Sequence, residues 1–344
     1  MEAPLLDAPV SPTTPVAPAY DRTVSRALVH RWALSEVFLT DSIATGEGTF
    51  TAAAQLPLSH GYFRDHVPGR DFHDPLLVLE SCRQAVTYAS HLHEEVPRDT
   101  TFMVTSWTLD ITDPEALRCG ERPGELRMEA QVTDRARRGG RLRRLAFAMD
   151  LTLDGRTLGH LTMDTNCTPT DQYHALRRMQ RGTTVPTAFT LPADPDGTPV
   201  APALVRRLDP LNSVLDAVVH PDPGTLTARL SARTYRNRSM YDHPYDHVPA
   251  MVFSEAARQC ALLLAAEGTS TTEDTSTTED TVPSTPEAGS GRVLRLHGRF
   301  LKFAELDEHV RLTAAREEDG SRQAFRMSAV QQDETVAEVR VALG

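Results

Sequence analysis

Two stretches of the chain are apolar on nearly every side of a helix, and the second repeats the first. They read "PLLVLESCRQAVTYA" and "AMVFSEAARQCALLLAA". A helix without a polar face has to be enclosed by other elements rather than laid on a surface. We therefore predict one buried helix from Pro75 to about His93 and another from Pro249 to about Glu267.

Runs with the two-residue alternation of strands flank both predicted helices. The pairs Gly139-Gly140 and Asp154-Gly155 are typical of tight turns between antiparallel strands. Before the helices the runs are "LVHRWALSEVFLT", "GTFTAAAQLP", "LVRRLDPLNSVLDAVV" and "GTLTARLSART"; after them they include "TTFMVTSWTLDIT" and "RVLRLHGRFLKFAEL". The same order of elements in both halves indicates a tandem repeat.

One long helix wrapped by a curved antiparallel sheet is the hotdog arrangement. Two copies in one chain could pair sheet edge to sheet edge, which would remove exposed strand edges. We therefore predict an α+β fold in which two hotdog domains form a pseudo-dimer within the chain. The alternative is one open sheet with both helices on the same face.

Composition divides the chain into globular and polar parts. We predict a disordered Pro- and Ala-rich tail over residues 1–27, a first hotdog domain over 28–168, a linker over 169–202 and a second hotdog domain over 203–344. The linker is expected to hold one short helix around "DQYHALRRMQR". Within the second domain, the acidic run 269–291 contains the hexapeptide "TSTTED" twice and is predicted to be disordered.

Charge and cysteine content exclude several classes of function. The net charge of −11 over 344 residues does not favour nucleic acid or an anionic membrane as a partner. Four cysteines without metal-ligand spacing argue against a zinc site and a disulfide framework, and no metal or other cofactor is expected. The chain shows neither a secretory signal nor a membrane-spanning run, so we expect a cytoplasmic protein.

Each predicted helix carries a polar triplet of Glu, Arg and Gln at the same mutual spacing. The triplets are Glu80, Arg83 and Gln84, and Glu255, Arg258 and Gln259. Burying such groups is costly unless they are paired. One interpretation is an internal ion pair that ties the helix to neighbouring strands. The other is a pocket at the junction of the halves, in which Glu is a base and Arg holds an anion.

Histidines precede both helices. The "HVPG" segment at His66, 14 residues before Glu80, is similar to the "HFPG" loop of hotdog acyl-carrier dehydratases, in which the loop His faces a helix carboxylate. In the second copy His247 lies 8 residues before Glu255, so the two junctions are expected to differ. His66 is the best catalytic candidate among the histidines; His73, His243 and His247 are interpreted as structural or solvated.

Three segments together resemble the AfsA-like family: "VHRWALSEVFLTD", "HDPLLVLESCRQA" and "HVPAMVFSEAARQ". The resemblance covers roughly residues 28–344 apart from the acidic run, and Ala250 stands where a Gly is common. It implies an acyltransferase that joins a β-ketoacyl group from an acyl carrier protein thioester to dihydroxyacetone phosphate. The ester could then close to a butenolide phosphate, a precursor of γ-butyrolactone signalling molecules.

The residues allow a division of labour for this chemistry. Glu80 or Glu255 could accept the hydroxyl proton, and Arg258 or Arg83 could hold the phosphate. We favour Glu255 with Arg258 and, from the first half, Glu80. The two glutamines of the triplets are interpreted as helix-to-strand hydrogen bonders.

The run "RARRGGRLRR" places six arginines on one hairpin, from Arg135 to Arg144. It is either a solvated hairpin or a docking patch for an acidic acyl carrier protein. Two other functions stay open. One is a dehydratase or thioesterase that uses His66 and Glu80, and the other is a non-catalytic ligand-binding hotdog protein.

Overall fold

The part of the chain that the structure describes forms one twelve-stranded antiparallel sheet and three helices longer than two turns. A computed structural model describes residues 17–66, 71–194, 197–267, 291–319 and 322–344. The strands are β1 (Leu39–Gly46), β2 (Thr49–Leu56), β3 (Thr100–Ile111), β4 (Gly124–Arg138), β5 (Arg141–Leu153), β6 (Arg156–Pro169), β7 (Leu215–Val219), β8 (Thr225–Leu230), β9 (Val293–Phe300), β10 (Arg311–Asp319), β11 (Arg322–Gln331) and β12 (Glu334–Leu343). The helices are α1 (Pro75–Leu92), α2 (Thr170–Arg181) and α3 (Ala250–Glu267).

The order of strands shows an internal two-fold repeat. The first half runs β1-β2-β4-β5-β6-β3 towards the centre of the sheet, and the second half runs β9-β12-β11-β10-β8-β7 away from it. Counted outward from the centre, equivalent strands follow in the same order in both halves. At the centre β3 pairs with β9, with Trp107 opposite Gly298. Helix α1 contacts β1, β2 and β6, and α3 contacts β8 to β12. The predicted tandem hotdog fold, with its halves paired edge to edge, is confirmed.

Both central helices are buried as their sequences predict. Pro75 occupies the first turn of α1, and the Asp74 side chain caps the helix by accepting a hydrogen bond from the Leu76 N–H at 2.9 Å. The buried residues of α1 and α3 cover all sides of each helix, and they include Glu80 and Glu255. The carboxylates are therefore in the protein interior, where they need partners.

Two segments predicted as strands become strands only at their ends. The run from Leu28 enters β1 at Leu39, after 3-10 turns at Arg26–Leu28 and Leu34–Glu36. The run from Leu204 ends in β7, after 3-10 turns at Pro202–Val205 and Pro210–Asn212. Tertiary contacts outweigh the local pattern here, because each segment carries an arginine that pairs with a buried carboxylate of the neighbouring helix.

The predicted tail needs a correction over residues 17–27. The Ala19 N–H donates to Asp41 Oδ2 at 3.0 Å, and the Val24 N–H donates to the Leu39 carbonyl at 3.1 Å. These hydrogen bonds hold the segment against β1, a contact that its Pro- and Ala-rich composition did not indicate. Residues 1–16 and all of the acidic run 269–291 except Gly291 lie outside the described residues.

The predicted linker contains the expected short helix, α2. It is fixed to the second half by Arg177, whose Nη1 donates to Glu305 Oε1 at 2.6 Å. Within the described ranges, no helix is long and apolar enough to cross a membrane. The boundaries of the two domains stay a prediction.

Gly298 is required at the seam between the halves. A Cβ added there would lie 2.8 Å from Nε1 of the buried Trp107 and 2.8 Å from Cζ of Phe300. We expect Gly298→Ala to lower the free energy of unfolding by about 1–3 kcal/mol, because the rings have to shift. Urea denaturation measures this. Gly61→Ala is the control, since a Cβ there meets no atom within 4 Å; equal stability losses in both variants would contradict the packing argument.

Candidate active site

Glu80 of α1 is the centre of a buried ion cluster. Its Oε1 accepts from Arg31 Nη2 at 2.6 Å, Arg83 Nη2 at 2.8 Å and Gln84 Nε2 at 2.8 Å, and its Oε2 accepts from Arg83 Nε at 2.8 Å. Arg31 also donates through Nη1 to Asp242 Oδ1 of the second half at 3.0 Å. The cluster therefore spans both halves.

Glu255 of α3 is the centre of a matching cluster. Its Oε1 accepts from Arg207 Nε at 3.1 Å and from Gln259 Nε2 at 2.6 Å. Its Oε2 accepts from the Tyr62 hydroxyl at 3.0 Å and from Arg258 Nη2. Each helix glutamate thus holds the Arg and Gln of its own triplet together with an arginine from the segment that crosses its helix.

Arg258 connects its cluster to the first half. Its Nη1 donates to Asp74 Oδ1 at 2.7 Å, and Asp74 is the residue that caps α1. The Arg207 Nη2 atom lies 3.9 Å from Asp74 Oδ2. The carboxylate that begins α1 is therefore held by two arginines of the second half.

The two glutamates differ in their electrostatics. The Arg31 and Arg83 guanidiniums lower the pKa of Glu80 to about 2, against the opposing effect of burial. Burial, with a further contribution from the Asp74 carboxylate, raises the pKa of Glu255 to about 7 although Arg207 opposes the shift. The two positions are equivalent by the repeat, yet only Glu80 is strongly held in its charged form near neutral pH.

A cavity of about 640 Å³ lies next to the Glu80 cluster, between the two halves. Glu80, Arg31 and Arg83 form part of its wall, and so do the first residues of α3, Ala250 and Met251. Its apolar wall includes Val86, Phe102, Val104, Trp107, Phe253 and Phe300. The cavity thus combines charged groups, a helix N-terminus and a hydrophobic surface.

The Glu255 cluster lies outside the wall of this cavity. Glu255 has no exposed surface and Arg258 is 6% exposed, and this pair is not part of the cavity wall that contains Glu80 and Arg83. Tyr62 gives a physical reason. Its ring packs under the Arg207 guanidinium at 4.7 Å, and its hydroxyl occupies the face of Glu255.

The repeat places a small residue where Tyr62 would be in the other half. Asp65 accepts from the Leu208 N–H at 3.2 Å, and Asp242 accepts from the Trp32 N–H at 2.8 Å, so the two aspartates have equivalent roles. Three residues before Asp242 stands Ser239, which lines the cavity, whereas three residues before Asp65 stands Tyr62. The predicted inequality of the two junctions is therefore present in the structure.

His66 does not lie in the wall of the cavity that holds Glu80. Its Nε2 is 3.1 Å from the Phe72 carbonyl, and its backbone forms a bridge with Arg207 of the second half. The structure therefore does not combine His66 and Glu80 in one wall as the dehydratase comparison required, because the loop of the first half packs against the second. Residues 67–70 of this loop lie outside the described ranges.

Gln84 and Gln259 connect the helices to the backbone that crosses them. Gln84 Nε2 donates to the Glu36 carbonyl at 2.7 Å while its Oε1 accepts from the Phe38 N–H at 2.9 Å. Gln259 Nε2 donates to the Asn212 carbonyl at 2.7 Å. Helix-to-strand hydrogen bonds were predicted for both amides; the carbonyls that accept from them belong to the 3-10 turns Leu34–Glu36 and Pro210–Asn212 instead.

Four members of the clusters were not predicted from the sequence: Arg31, Arg207, Tyr62 and Asp74. A signal for the two arginines was present, because "LVHRW" and "LVRRL" carry Arg at the same position of the two copies. Asp74 stands directly before the predicted helix start at Pro75, but it was not singled out. Tyr62 carried no signal, since its role depends on how the halves pack.

His247 shares the cavity wall with Glu80 and is partnered by its neighbour. Its Nδ1 lies 2.6 Å from Asp246 Oδ1, and its side chain is 25% exposed. The Tyr173 hydroxyl donates to the same Asp246 oxygen at 2.7 Å, and Arg177 Nε donates to Asp246 Oδ2 at 3.3 Å. His247 is therefore an oriented imidazole rather than a solvated side chain.

Metal-type clusters are not seen in the described part of the chain. Its residues include no group of three or more His, Cys, Asp or Glu side chains that could hold a metal ion. The four cysteines are free thiols: Cys82, Cys167 and Cys260 are buried, and Cys119 is partly exposed. Burial raises the pKa of the Cys260 thiol to about 12, which makes it unreactive near neutral pH.

Comparison with known proteins agrees with both the fold and the repeat. The AfsA description, A-factor biosynthesis hotdog domain, matches residues 13–169 and 190–343. The chain belongs to this family. A protein from Streptomyces virginiae, named 2-oxo-3-(phosphooxy)propyl 3-oxoalkanoate synthase, is 35% identical over 240 residues, which are 70% of this chain and 76% of that one.

A second relative has the same name. The 2-oxo-3-(phosphooxy)propyl 3-oxoalkanoate synthase of Streptomyces coelicolor is 30% identical over 285 residues, or 83% of this chain and 79% of that one. Among solved structures, the dehydratase domain of the polyketide PpsC from Mycobacterium tuberculosis has a TM-score of 0.50 at 11% identity, covering 89% of this chain and 97% of that one. This likeness shows the fold alone.

The raised pKa of Glu255 predicts a pH-dependent loss of stability. A folded-state pKa of about 7 against an ordinary value of 4.5 means that the folded protein binds more protons between these pH values than the unfolded chain. The stabilisation that comes from the raised pKa of Glu255 is therefore complete below pH 4.5 and is lost as the pH rises through 7. The free energy of unfolding of the wild type, minus that of Glu255→Gln, is expected to fall by about 3 kcal/mol over this interval.

Urea denaturation of both proteins from pH 4.5 to 8 measures this difference. Other titrating groups cancel because both proteins contain them. Parallel profiles for the wild type and Glu255→Gln would show that Glu255 titrates in the folded protein as it does in the unfolded chain, and would contradict the prediction.

Proposed function

We propose that this AfsA protein is an acyltransferase that joins a 3-oxoacyl group, delivered as a thioester of an acyl carrier protein, to a hydroxyl of dihydroxyacetone phosphate. The product would be the ester in the names of its relatives. Attack of the acidic α-carbon of that ester on the ketone, followed by loss of the resulting hydroxyl as water, would give a butenolide phosphate. The observation that carries the proposal is the cavity that joins an apolar wall to the Glu80 cluster.

The apolar wall suits the acyl chain. Trp107, Phe253 and Phe300 contribute aromatic surface next to the seam of the two halves. Burial of an alkyl chain there gains about 0.8 kcal/mol for each CH₂ group removed from water. The cavity volume of about 640 Å³ is within the range of ordinary small-molecule sites.

Arg83 is the proposed phosphate ligand. Its Nε and Nη2 atoms donate to Glu80, which fixes the guanidinium in the cavity wall. Its Nη1 atom makes no hydrogen bond with any residue that the structure describes, and 19% of the side chain is exposed. An oriented guanidinium with a spare donor can hold a phosphate oxygen by a charge-assisted hydrogen bond.

The first turn of α3 is the proposed site of oxyanion stabilisation. Ala250 and Met251 are the first two residues of α3, where backbone N–H groups have no carbonyl one turn earlier in the helix to bond, and both residues lie in the cavity wall. The positive end of the helix dipole favours negative charge at this point. A thioester carbonyl placed there would be stabilised as it becomes tetrahedral.

In this proposal Glu80 is an electrostatic group. With a pKa of about 2 it stays ionised and accepts a proton poorly, so it orients Arg31 and Arg83 instead. The sequence favoured Glu255 as a base and Arg258 as a phosphate ligand; here they are proposed to hold Tyr62 and Asp74, respectively, and thereby to fix the two halves. Gln84 and Gln259 keep their structural role.

The arginine hairpin is proposed as the docking surface for the acyl carrier protein. It is the turn between β4 and β5, and it adjoins the cavity wall: Arg144 pairs with Asn166, which lines the cavity, and Arg143 Nη1 donates to Gln172 of α2 at 3.3 Å. Positive charge there would steer an acidic carrier towards the cavity, with an on-rate that falls as salt rises.

The test is mass spectrometry of the purified protein given a medium-chain 3-oxoacyl carrier thioester, with and without dihydroxyacetone phosphate. We expect release of the carrier thiol and a phosphorylated ester or butenolide only when the triose phosphate is present. Thiol release without it would indicate a thioesterase, and loss of one water from a 3-hydroxyacyl carrier thioester, given in a parallel reaction, would indicate a dehydratase. Binding without turnover would indicate a ligand-binding protein.

A further inference from the structure

Transfer of an acyl group to an alcohol needs a base for the hydroxyl proton. The cluster at Glu80 is poorly suited to this task, because its carboxylate is bonded to two guanidiniums and an amide. The base therefore has to be another group in the cavity wall, with a free lone pair and a partner that orients it.

The Asp246–His247 pair has this geometry. Asp246 is fixed from three directions: by His247 Nδ1 at 2.6 Å, by the Tyr173 hydroxyl at 2.7 Å and by Arg177 Nε at 3.3 Å. Arg177 Nη2 also donates to the Asp246 carbonyl at 2.9 Å. Because the carboxylate is an acceptor, the His247 proton belongs on Nδ1, and the lone pair is then on Nε2.

His247 lies in the same cavity wall as the α3 N-terminus. Pro249, Ala250 and Met251 follow it along the chain and also line the cavity. The groups around the imidazole are Asp246, the Tyr173 hydroxyl and the rings of Tyr245 and Phe303, whose centroids lie 6.1 Å and 5.0 Å away. Arg177 packs over the other side of Phe303, at 4.6 Å from its centroid. A base here would be next to the proposed oxyanion site.

We propose that His247, oriented by Asp246, is the general base of the acyl transfer. This rests on the proposed function. His247 Nε2 takes the proton of the acceptor hydroxyl while the hydroxyl oxygen bonds to the thioester carbonyl carbon. The C–S bond of the tetrahedral intermediate then breaks, and the imidazolium returns the proton to the departing sulfur, which leaves as the carrier thiol. His247 is regenerated, and no further reactant is needed.

The chain offers a matched control. His243 Nδ1 lies 2.6 Å from Asp242 Oδ1, the same local pair at the same distance, and its side chain is 26% exposed, close to the 25% of His247. His243 is not part of the cavity wall. A purely local or structural effect of losing such a histidine would be similar at both positions.

The experiment compares His247→Gln and His243→Gln in the carrier-thioester assay with dihydroxyacetone phosphate. We expect kcat of His247→Gln to fall by roughly 10²–10⁴-fold, with KM for the triose phosphate changed by less than about threefold. We expect His243→Gln to keep kcat within about threefold. Added imidazole should restore part of the rate lost by His247→Ala, which a structural role would not allow.

Asp246→Asn tests the orienting partner and remains informative if the His247 variants fold poorly. We expect a lower kcat, an unchanged KM and a displaced pH–rate profile, because asparagine can favour the wrong tautomer. A wild type that makes the ester together with a His247→Gln variant of equal kcat would overturn the inference and leave the proposed function intact. A wild type that makes no ester would overturn both.

Discussion

Replacing Glu80 with glutamine is expected to lower the free energy of unfolding by about 3–5 kcal/mol near neutral pH, because the buried Arg31 and Arg83 guanidiniums lose their shared anion. Both cations are held within hydrogen-bonding distance of the carboxylate, and its side chain is 2% exposed. We expect turnover to be lost as well, since Arg83 would no longer be fixed in the cavity wall. Urea denaturation and the ester assay measure the two effects.

The pKa of Glu80 determines how this stability difference depends on pH. A folded-state pKa of about 2, below the ordinary value of 4.5, means that the contribution is present above pH 4.5 and is lost as the pH falls through 2. The difference between wild type and Glu80→Gln should therefore shrink on acidification.

Glu115→Gln is the matched control for Glu80→Gln. Glu115 pairs with Arg118 three residues later at 2.7 Å, but both side chains are about half exposed, at 48% and 55%. Exposed pairs of this kind contribute about 0–1 kcal/mol. A stability loss for Glu80→Gln as small as that for Glu115→Gln would contradict the buried-cluster account.

Replacing Arg83 with methionine is expected to remove the preference for a phosphorylated acceptor. We expect KM for dihydroxyacetone phosphate to rise by roughly 10²-fold, which corresponds to about 3 kcal/mol, the strength of a good hydrogen bond to a charged group. KM for unphosphorylated dihydroxyacetone should change by less than about threefold. Steady-state kinetics with the two acceptors measures the preference as a ratio.

Arg258→Met is the matched control for Arg83→Met, because it tests the triplet of the other half. Arg258 has the same place in its triplet, but it lies outside the cavity wall and holds the Asp74 carboxylate. We expect a less stable protein that keeps its preference for the phosphorylated acceptor. Loss of that preference in Arg258→Met, together with its retention in Arg83→Met, would assign the phosphate to the other cluster.

The sequence predicts the architecture because the repeated pattern is local. Two apolar helices that each contain Glu, Arg and Gln at fixed spacing indicate two enclosed helices, and alternating strands provide the enclosure. The turns at Gly139-Gly140 and Asp154-Gly155 are found where the pattern predicts them. These features depend on residues that are close together in the sequence, so they can be predicted from one sequence alone.

The choice between the two triplets could not be made from the sequence. It depends on Tyr62, which covers Glu255, and on Ser239, which leaves the face of Glu80 open. Both residues come from the half opposite to the helix that they affect. Their effects follow from how the halves pack, so the sequence favoured Glu255 and Arg258, whereas the proposed function places the substrate at Glu80 and Arg83.

The catalytic interpretation of the histidines was limited in the same way. His66 resembled a dehydratase residue by spacing, but its loop packs beside Arg207. His247 was interpreted as structural or solvated because its neighbours in sequence do not show that it borders a cavity. The neighbouring Asp246 shows in the sequence that His247 has a carboxylate beside it. That pair indicates a base only once His247 is known to line the cavity.

We propose that the substrate binds in the cavity at Glu80 and not at the Glu255 cluster. A crystal structure of the protein with dihydroxyacetone phosphate tests it most directly. We predict the phosphate within hydrogen-bonding distance of Arg83 Nη1, with the hydroxyl carbon directed towards His247. A phosphate bound to Arg258 beside Glu255, with the Glu80 cavity empty, would contradict the account.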